Sequence, residues 1–141
     1  MKKTIGILVL CFCVLSFKTT NKEYSLKKDN KLKESIKRGK AVYKDMCATC
    51  HLPNGKGVGK VFPPLAKSDY LMEKREASIR AIKYGLSGKI VVNGVTYRGM
   101  MTNFGLYADE VADVMNYITN SWGNTNNKMI SEKEVESVSK K

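Results

Sequence analysis

Long apolar runs are scarce in this chain. The longest is residues 5–17, 13 residues, short of the ~20 that a membrane-spanning helix requires. A multi-pass membrane protein is excluded. Acidic residues are also few: 13 Asp plus Glu stand against 25 Lys plus Arg, a net charge of +12. Such a surplus suits an acidic partner, whether nucleic acid, anionic lipid or an acidic protein. The 141 residues suffice for about one domain. They are 43% apolar and 27% charged, a globular mix that excludes disorder throughout. The sequence holds no catalytic triad, no phosphate-binding loop and no paired catalytic carboxylates. Cysteine and histidine number only four and one, yet two of the cysteines and the sole histidine fall within five residues, at Cys47, Cys50 and His51.

The first residues read as an address. A basic start, Met1-Lys2-Lys3-Thr4, precedes the apolar run, and Ser16-Phe17-Lys18-Thr19-Thr20 turns polar. That order defines a secretory signal peptide. The best small-residue cut follows Ser16, with Val14 three back, but it is a poor site. An uncleaved anchor and lipidation at Cys11 or Cys13 are alternatives, the latter disfavoured by the large Leu10 and Phe12 before them. Each route leads out of the cytoplasm, to the periplasm or the outer face of the inner membrane. The boundaries drawn are residues 1–16 for the signal, 17–33 for a basic linker, 34–123 for the folded domain and 124–141 for a loose polar tail.

Removing residues 1–16 takes two lysines and leaves +10. Residues 18–44 carry ten Lys/Arg and three Asp/Glu, so the excess lies near the N-terminus. A solvated helix face is one meaning of such a run; a dock for a membrane surface or an acidic partner is the other. No aromatic interleaving or nucleic-acid module accompanies the charge, so no nucleic-acid partner is expected.

From Leu32 the positions Leu32, Ile36, Gly39, Tyr43 and Cys47 step at helical spacing, and this helix runs straight into Cys47. Residues 51–66 are rich in Gly and Pro and read as loop. Ser68 or Asp69 can cap a short helical turn, and Glu73 to Tyr84 reads as a helix stopped by Gly85. An Asn93-Gly94 turn between Val91-Val92 and Val95-Thr96-Tyr97 predicts a small hairpin. Val111, Val114, Met115, Ile118 and Trp122 predict a strongly amphipathic last helix, with Gly123 as its end.

Cys47-Ala48-Thr49-Cys50-His51 is C-x-x-C-H, the attachment pattern of c-type haem. Two thiols three residues apart on a helical turn can each form a thioether to one haem edge, and the next residue places an imidazole below the iron. Redox-active C-x-x-C would need a βαβ context, which is missing. Zinc needs about four ligands, and a structural Cys47–Cys50 disulfide is a third bland alternative. A second axial ligand cannot be His, which leaves Met, Lys or Tyr. Met100 and Met101 lie about fifty residues beyond His51, in what reads as a Gly-flanked loop between hairpin and last helix. Met46, Met72 and Met115 sit within predicted helices and suit packing.

Over roughly residues 34–124 the chain resembles class I c-type cytochromes. It is most similar to small bacterial haem-c domains that occur as free carriers or fused to enzymes such as copper-containing nitrite reductase. Gly39 and Tyr43 match the Gly and aromatic that precede the family's C-x-x-C-H, and Tyr117 matches its C-terminal aromatic. The runs 62–71, 84–88 and 120–124 match the subfamily pattern. The resemblance implies an all-α cytochrome c fold, with N- and C-terminal helices crossing, short middle helices, a small β-hairpin and loops wrapping one haem c held through Cys47 and Cys50. It implies that the Pro63 carbonyl accepts a hydrogen bond from His51, fixing the tautomer, that Leu65 packs on the haem, and that Met101 rather than Met100 is the second ligand. Two departures stand out: Thr102 follows Met101 where the family usually has Pro, and Tyr107 replaces the Ser that caps the last helix, a loss of ~1 kcal/mol.

Iron held by both His51 and Met101 has no open position for a substrate, which makes the expected function one-electron transfer in a periplasmic respiratory chain rather than catalysis. Partners would be redox proteins, a terminal oxidase or reductase and an upstream donor, met through an acidic patch on their side. Lys44, Lys56 and Lys60 are docking candidates, and Arg80 and Arg98 are weak candidates for neutralising haem propionates. Two other classes compete: a dedicated haem subunit of a larger oxidoreductase, which would want a large apolar patch, and a haem enzyme or gas sensor, which would need the second ligand labile or absent.

Overall fold

In the computed structural model, residues 26–140 are described. The signal segment, with Cys11 and Cys13, and residues 17–25 of the linker lie outside them. The chain forms two units, Met1–Lys33 and Glu34–Lys141. Of the first, residues 26–33 are helical and mostly exposed. The linker reading does not anticipate a helix there, but Leu and Lys are good helix formers even with little to bury. The second unit carries everything that follows.

Residues 34–42 form α1. The helix then widens into a π-helical stretch, Tyr43–Cys47, and closes with a single α-turn, Ala48–His51 (α2). Short π segments inside helices are frequent at functional sites, and this one ends on the first cysteine. One face of α1 is buried at Ser35 and Gly39, and the buried Tyr43 follows at the start of the π stretch. A Cβ on Gly39 would lie 1.9 Å from the Asp113 carbonyl oxygen, so only hydrogen fits there. The Asp113 side chain reinforces that contact: it accepts from Ser35 Oγ at 2.6 Å and from Arg38 at 2.6 and 2.8 Å.

After the loop, Ser68 caps α3 (Asp69–Glu73) by accepting from the Leu71 N–H. The predicted single helix from Glu73 to Tyr84 is split. Lys74 leaves helical geometry, and α4 runs over Arg75–Tyr84. Strands β1 (Leu86–Val92) and β2 (Val95–Met101) pair antiparallel in a two-stranded sheet, with Leu86 opposite Met101 and Ile90 opposite Tyr97. Asn93 and Gly94 both take positive φ at the turn, the geometry that suits a two-residue hairpin. The hairpin is longer than predicted. Its register places Gly88 opposite Gly99, and glycines weaken the strand signal on either side of them. Met100 and Met101 therefore stand on a strand, not in a loop.

The last predicted helix is α5 (Ala108–Ile118), whose Val111, Val114, Met115 and Ile118 are buried at the centre of the core. It ends before Trp122, which sits at φ 54 in the following turn. Trp122 packs with Tyr43 and Tyr117, ring centroids 5.0–5.4 Å apart. At the helix start Tyr107 is exposed, but Glu110 accepts from the Tyr107 N–H at 2.9 Å. Half of a capping box survives the missing Ser.

Residues 124–140 correct the expectation of a loose tail. They carry α6 (Glu132–Ser137) and bury Ile130, Val135 and Val138 in the same core as α5. Polar side chains hold this strap down. Asn116 brackets Ile130 by donating to its carbonyl and accepting from its N–H, both at 2.8 Å. Asn124 donates to the Leu65 and Ile118 carbonyls and accepts from the Lys67 N–H. Only three inward residues at uneven spacing carry the burial, which is why the segment's composition conceals it. No helix among the described residues is long and apolar enough to cross a membrane.

Candidate haem site

The π stretch and α2 deliver Cys47, Cys50 and His51 to one side of a cleft. Its outer part has a volume of about 150 Å3 and its inner part about 70 Å3. Cys47, His51, Pro63, Leu86, Ile90 and Met101 line both, so the two parts are continuous. Among the described residues, no Asp, Glu, Lys or Arg lines either part. That apolar lining matches a site for an organic cofactor.

The thiols of Cys47 and Cys50 are free and half-buried. Burial, helped by the neighbouring Cys50, pushes the Cys47 thiol up to about 11. His51 Nδ1 lies 2.9 Å from the Pro63 carbonyl oxygen. A carbonyl only accepts, so Nδ1 carries the proton and Nε2 keeps a free lone pair, the state a metal needs. Burial holds the imidazole below its usual pKa, opposed by that hydrogen bond, so the ring is neutral near pH 7. Tyr43 donates to the Leu52 carbonyl at 2.6 Å, fixing the chain as it leaves α2. Leu65 lines the inner part.

Strand alternation puts Tyr97, Gly99 and Met101 on one face of β2 and Met100 on the other. Met101 is half-buried and borders both parts of the cleft, whereas Met100 is 79% exposed and touches only the outer rim. A flat apolar macrocycle fits this site: two thiols at its edge, a free imidazole nitrogen, and a thioether on a facing strand.

Other sequence-predicted residues lie elsewhere. Lys44, Lys56 and Lys60 are exposed. Arg80 is tied to Glu76 and to the Ser139 carbonyl, and Arg98 is exposed on β2 across from Lys89. Neither arginine lines the cleft, so the structure gives no support to a propionate role for them. Sequence reasoning missed Leu86, Ile90 and Tyr97 as lining residues. The alternation Leu86, Ile90, Val92 was the available signal, and drawing the hairpin too short hid it.

The Cytochrome c family model matches residues 36–122, and the chain belongs to that family. Over 82 residues it is 43% identical to cytochrome c-552 of Thermus thermophilus, covering 55% of this chain and 63% of that protein. Over 90 residues it is 33% identical to the cytochrome c subunit of a quinone alcohol dehydrogenase from Komagataeibacter europaeus, 61% of this chain but 19% of that protein. The corresponding subunit from Gluconobacter oxydans (strain 621H) is 29% identical over 104 residues. The chain thus spans less than two thirds of the length of each of these curated relatives. Membership brings covalently bound haem c, and the C-x-x-C-H cysteines are Cys47 and Cys50. Members of this family are electron-carrying haem proteins.

Proposed function

We propose that this chain is a mono-haem one-electron carrier of a bacterial periplasmic respiratory chain, its iron held by His51 and Met101. The observation that carries the reading is the pairing of an oriented imidazole with a thioether across one cleft: His51 is tautomer-fixed by Pro63, and Met101 borders the same space from β2. When bound, the haem supplies a one-electron couple, and a His/Met ligand pair raises its potential. The chain's own residues do the rest. Cys47 and Cys50 anchor the group, Pro63 holds His51, and Leu65, Ile82 and Ile90 keep water from the interior. An apolar lining disfavours a large change of solvation between the two charge states. The finer arrangement belongs to this reading: terminal helices α1 and α5 cross at Gly39, and the loop 52–68 wraps the group.

Delivery to the periplasm rests on the signal-like residues 1–16, with cleavage, anchoring or lipidation at Cys11 or Cys13 as its possible fates. Residues 34–123 serve as the core of the haem domain. Redox protein partners with acidic patches suit the chain's +12 charge, since complementary charge speeds encounter while contacts stay small. A second reading, a haem module working within a larger oxidoreductase, is favoured by the likeness to quinone alcohol dehydrogenase cytochrome c subunits.

The test is an absorption spectrum of protein made with haem-attachment machinery, oxidised and reduced, including the far-red sulfur-to-iron band. The band should be present, survive Met100→Ala and vanish with Met101→Ala. A wild type that lacks the band and binds carbon monoxide readily would overturn the carrier reading in favour of a sensor or enzyme.

A further inference from the structure

The C-terminal strap lies beyond residue 122, where the family match ends, yet it is fastened to the helix that forms a wall of the cleft. On α4, Ser78, Ala81 and Ile82 line the inner cleft. At the end of the same helix, Lys83 Nζ donates to three strap carbonyls: Val135 at 2.8 Å, Val138 at 3.0 Å and Glu136 at 3.2 Å. Tyr84 adds a hydrogen bond from its hydroxyl to the Val138 carbonyl at 3.0 Å, and its ring lies 4.9 Å below the Lys83 ammonium. These carbonyls close α6, so one ammonium satisfies groups that a helix end leaves open.

The chain passes directly from this clasp to Met101. Gly85 follows Tyr84 at φ +83, and a Cβ there would sit 2.8 Å from the Met101 carbonyl oxygen and 3.2 Å from the Asn103 N–H nitrogen. Leu86, the next residue, is the strand partner of Met101. Two residues thus separate the clasped Lys83 from the backbone that pairs with Met101.

We propose that the strap acts as a positioning element for Met101: Lys83 and Tyr84 fix Gly85 and Leu86, and these hold the Met101 segment of β2 toward the cleft. The inference rests on Met101 being the second ligand. Loosening the clasp frees Met101 to leave its place more often, without touching any cleft-lining side chain. Arg75, at the opposite end of α4, binds the strap through the Lys128 and Met129 carbonyls near its start and the Glu134 side chain on α6. Eight residues of helix put it about 12 Å from Lys83, which makes it the control for plain loss of stability.

The experiment compares the haem-loaded wild type with Lys83→Met, Tyr84→Phe, Lys83→Arg and Arg75→Met. Two readouts are taken: the affinity of the ferric protein for imidazole, which competes with Met101, and the temperature at which the far-red band fades relative to loss of helical circular dichroism. Removing charge-assisted hydrogen bonds in Lys83→Met should raise imidazole affinity about tenfold, and Tyr84→Phe by about threefold. In both, the band should fade well before the helices melt. Lys83→Arg should restore much of the wild-type value. Arg75→Met should lower both temperatures together and leave imidazole affinity unchanged. Affinity that stays within twofold in both Lys83→Met and Tyr84→Phe, or that rises equally in Arg75→Met, overturns the positioning role while the ligand assignment stands. A wild type without the band overturns the ligand assignment and this inference with it.

Discussion

Replacing Gly39 by Ala tests the junction of α1 and α5, because two physical effects predict opposite signs. Helix propensity alone makes Gly→Ala inside a helix stabilising by about 1 kcal/mol. The structure predicts the reverse. The new Cβ would lie 1.9 Å from the Asp113 oxygen, 2.4 Å from its carbonyl carbon and 2.9 Å from Val114 N. Ordinary C···O contact is about 3.3 Å, so the two backbones must part by roughly 1.4 Å. Backbone cannot rotate away as a side chain can. Such overpacking costs about 1–3 kcal/mol. The same separation stretches the Asp113 bonds to Ser35 and Arg38, now 2.6–2.8 Å. Asp113 is only 7% exposed, and weakening its hydrogen bonds costs about 1–3 kcal/mol more. Net destabilisation should be about 1–5 kcal/mol after the propensity gain is subtracted. Against a total of about 5–15 kcal/mol for a domain, that is a large share. Denaturant unfolding of the haem-loaded protein, followed by circular dichroism, measures it directly. A Gly39→Ala protein as stable as wild type, or more so, would refute the close approach and the Asp113 anchoring together.

Val135→Ala should cost about 2 kcal/mol in the same assay, since Val135 is fully buried and its removal leaves a cavity; a loose tail would lose nothing. Asn116→Ala should cost about 2–4 kcal/mol by orphaning both the N–H and the carbonyl of Ile130. The Arg75 guanidinium holds the Glu134 carboxyl below its usual range. Its stabilisation is therefore present above the unfolded carboxylate pKa and lost as pH falls through the lower folded value. Glu134→Gln should cost about 1 kcal/mol at pH 7 and almost nothing at pH 2, read from unfolding midpoints across that range; an equal loss at both ends would show that the charge is irrelevant.

Features legible in the sequence were those that a local pattern encodes. Helical spacing from Leu32 to Cys47 and from Val111 to Ile118 is periodic, and periodicity survives without tertiary information. C-x-x-C-H is five contiguous residues whose chemistry is readable in isolation. The Pro63 carbonyl was expected beside His51 through the family pattern, and the structure places it at 2.9 Å. Strand alternation was available too, but the glycine pair Gly88 and Gly99 interrupts it, so the hairpin seemed to end before Met100. That one shortening hid Leu86 and Ile90 and left Met101 without its face. With the strand restored, the period of two separates the neighbouring methionines without appeal to any relative.

The C-terminal strap was illegible for a different reason. Its burial comes from Ile130, Val135 and Val138, spaced five and three apart across a loop, a short helix and an extended end, so no single period describes it. Its attachments are equally non-local: Asn116, Lys83 and Arg75 are each useful only because distant backbone groups arrive beside them. Composition could not reveal this, because a lysine that closes a helix 52 residues away is indistinguishable in sequence from a solvated one. The excess of basic residues therefore divides into two populations. Arg75, Arg80 and Lys83 are partly buried and engaged by carboxylates or carbonyls of the fold, whereas Lys44, Lys56 and Lys60 are exposed. Exposed lysines such as these are placed to meet a partner. Neutralising these three should weaken salt-dependent encounter with an acidic redox protein while leaving the unfolding midpoint within about 0.5 kcal/mol of wild type.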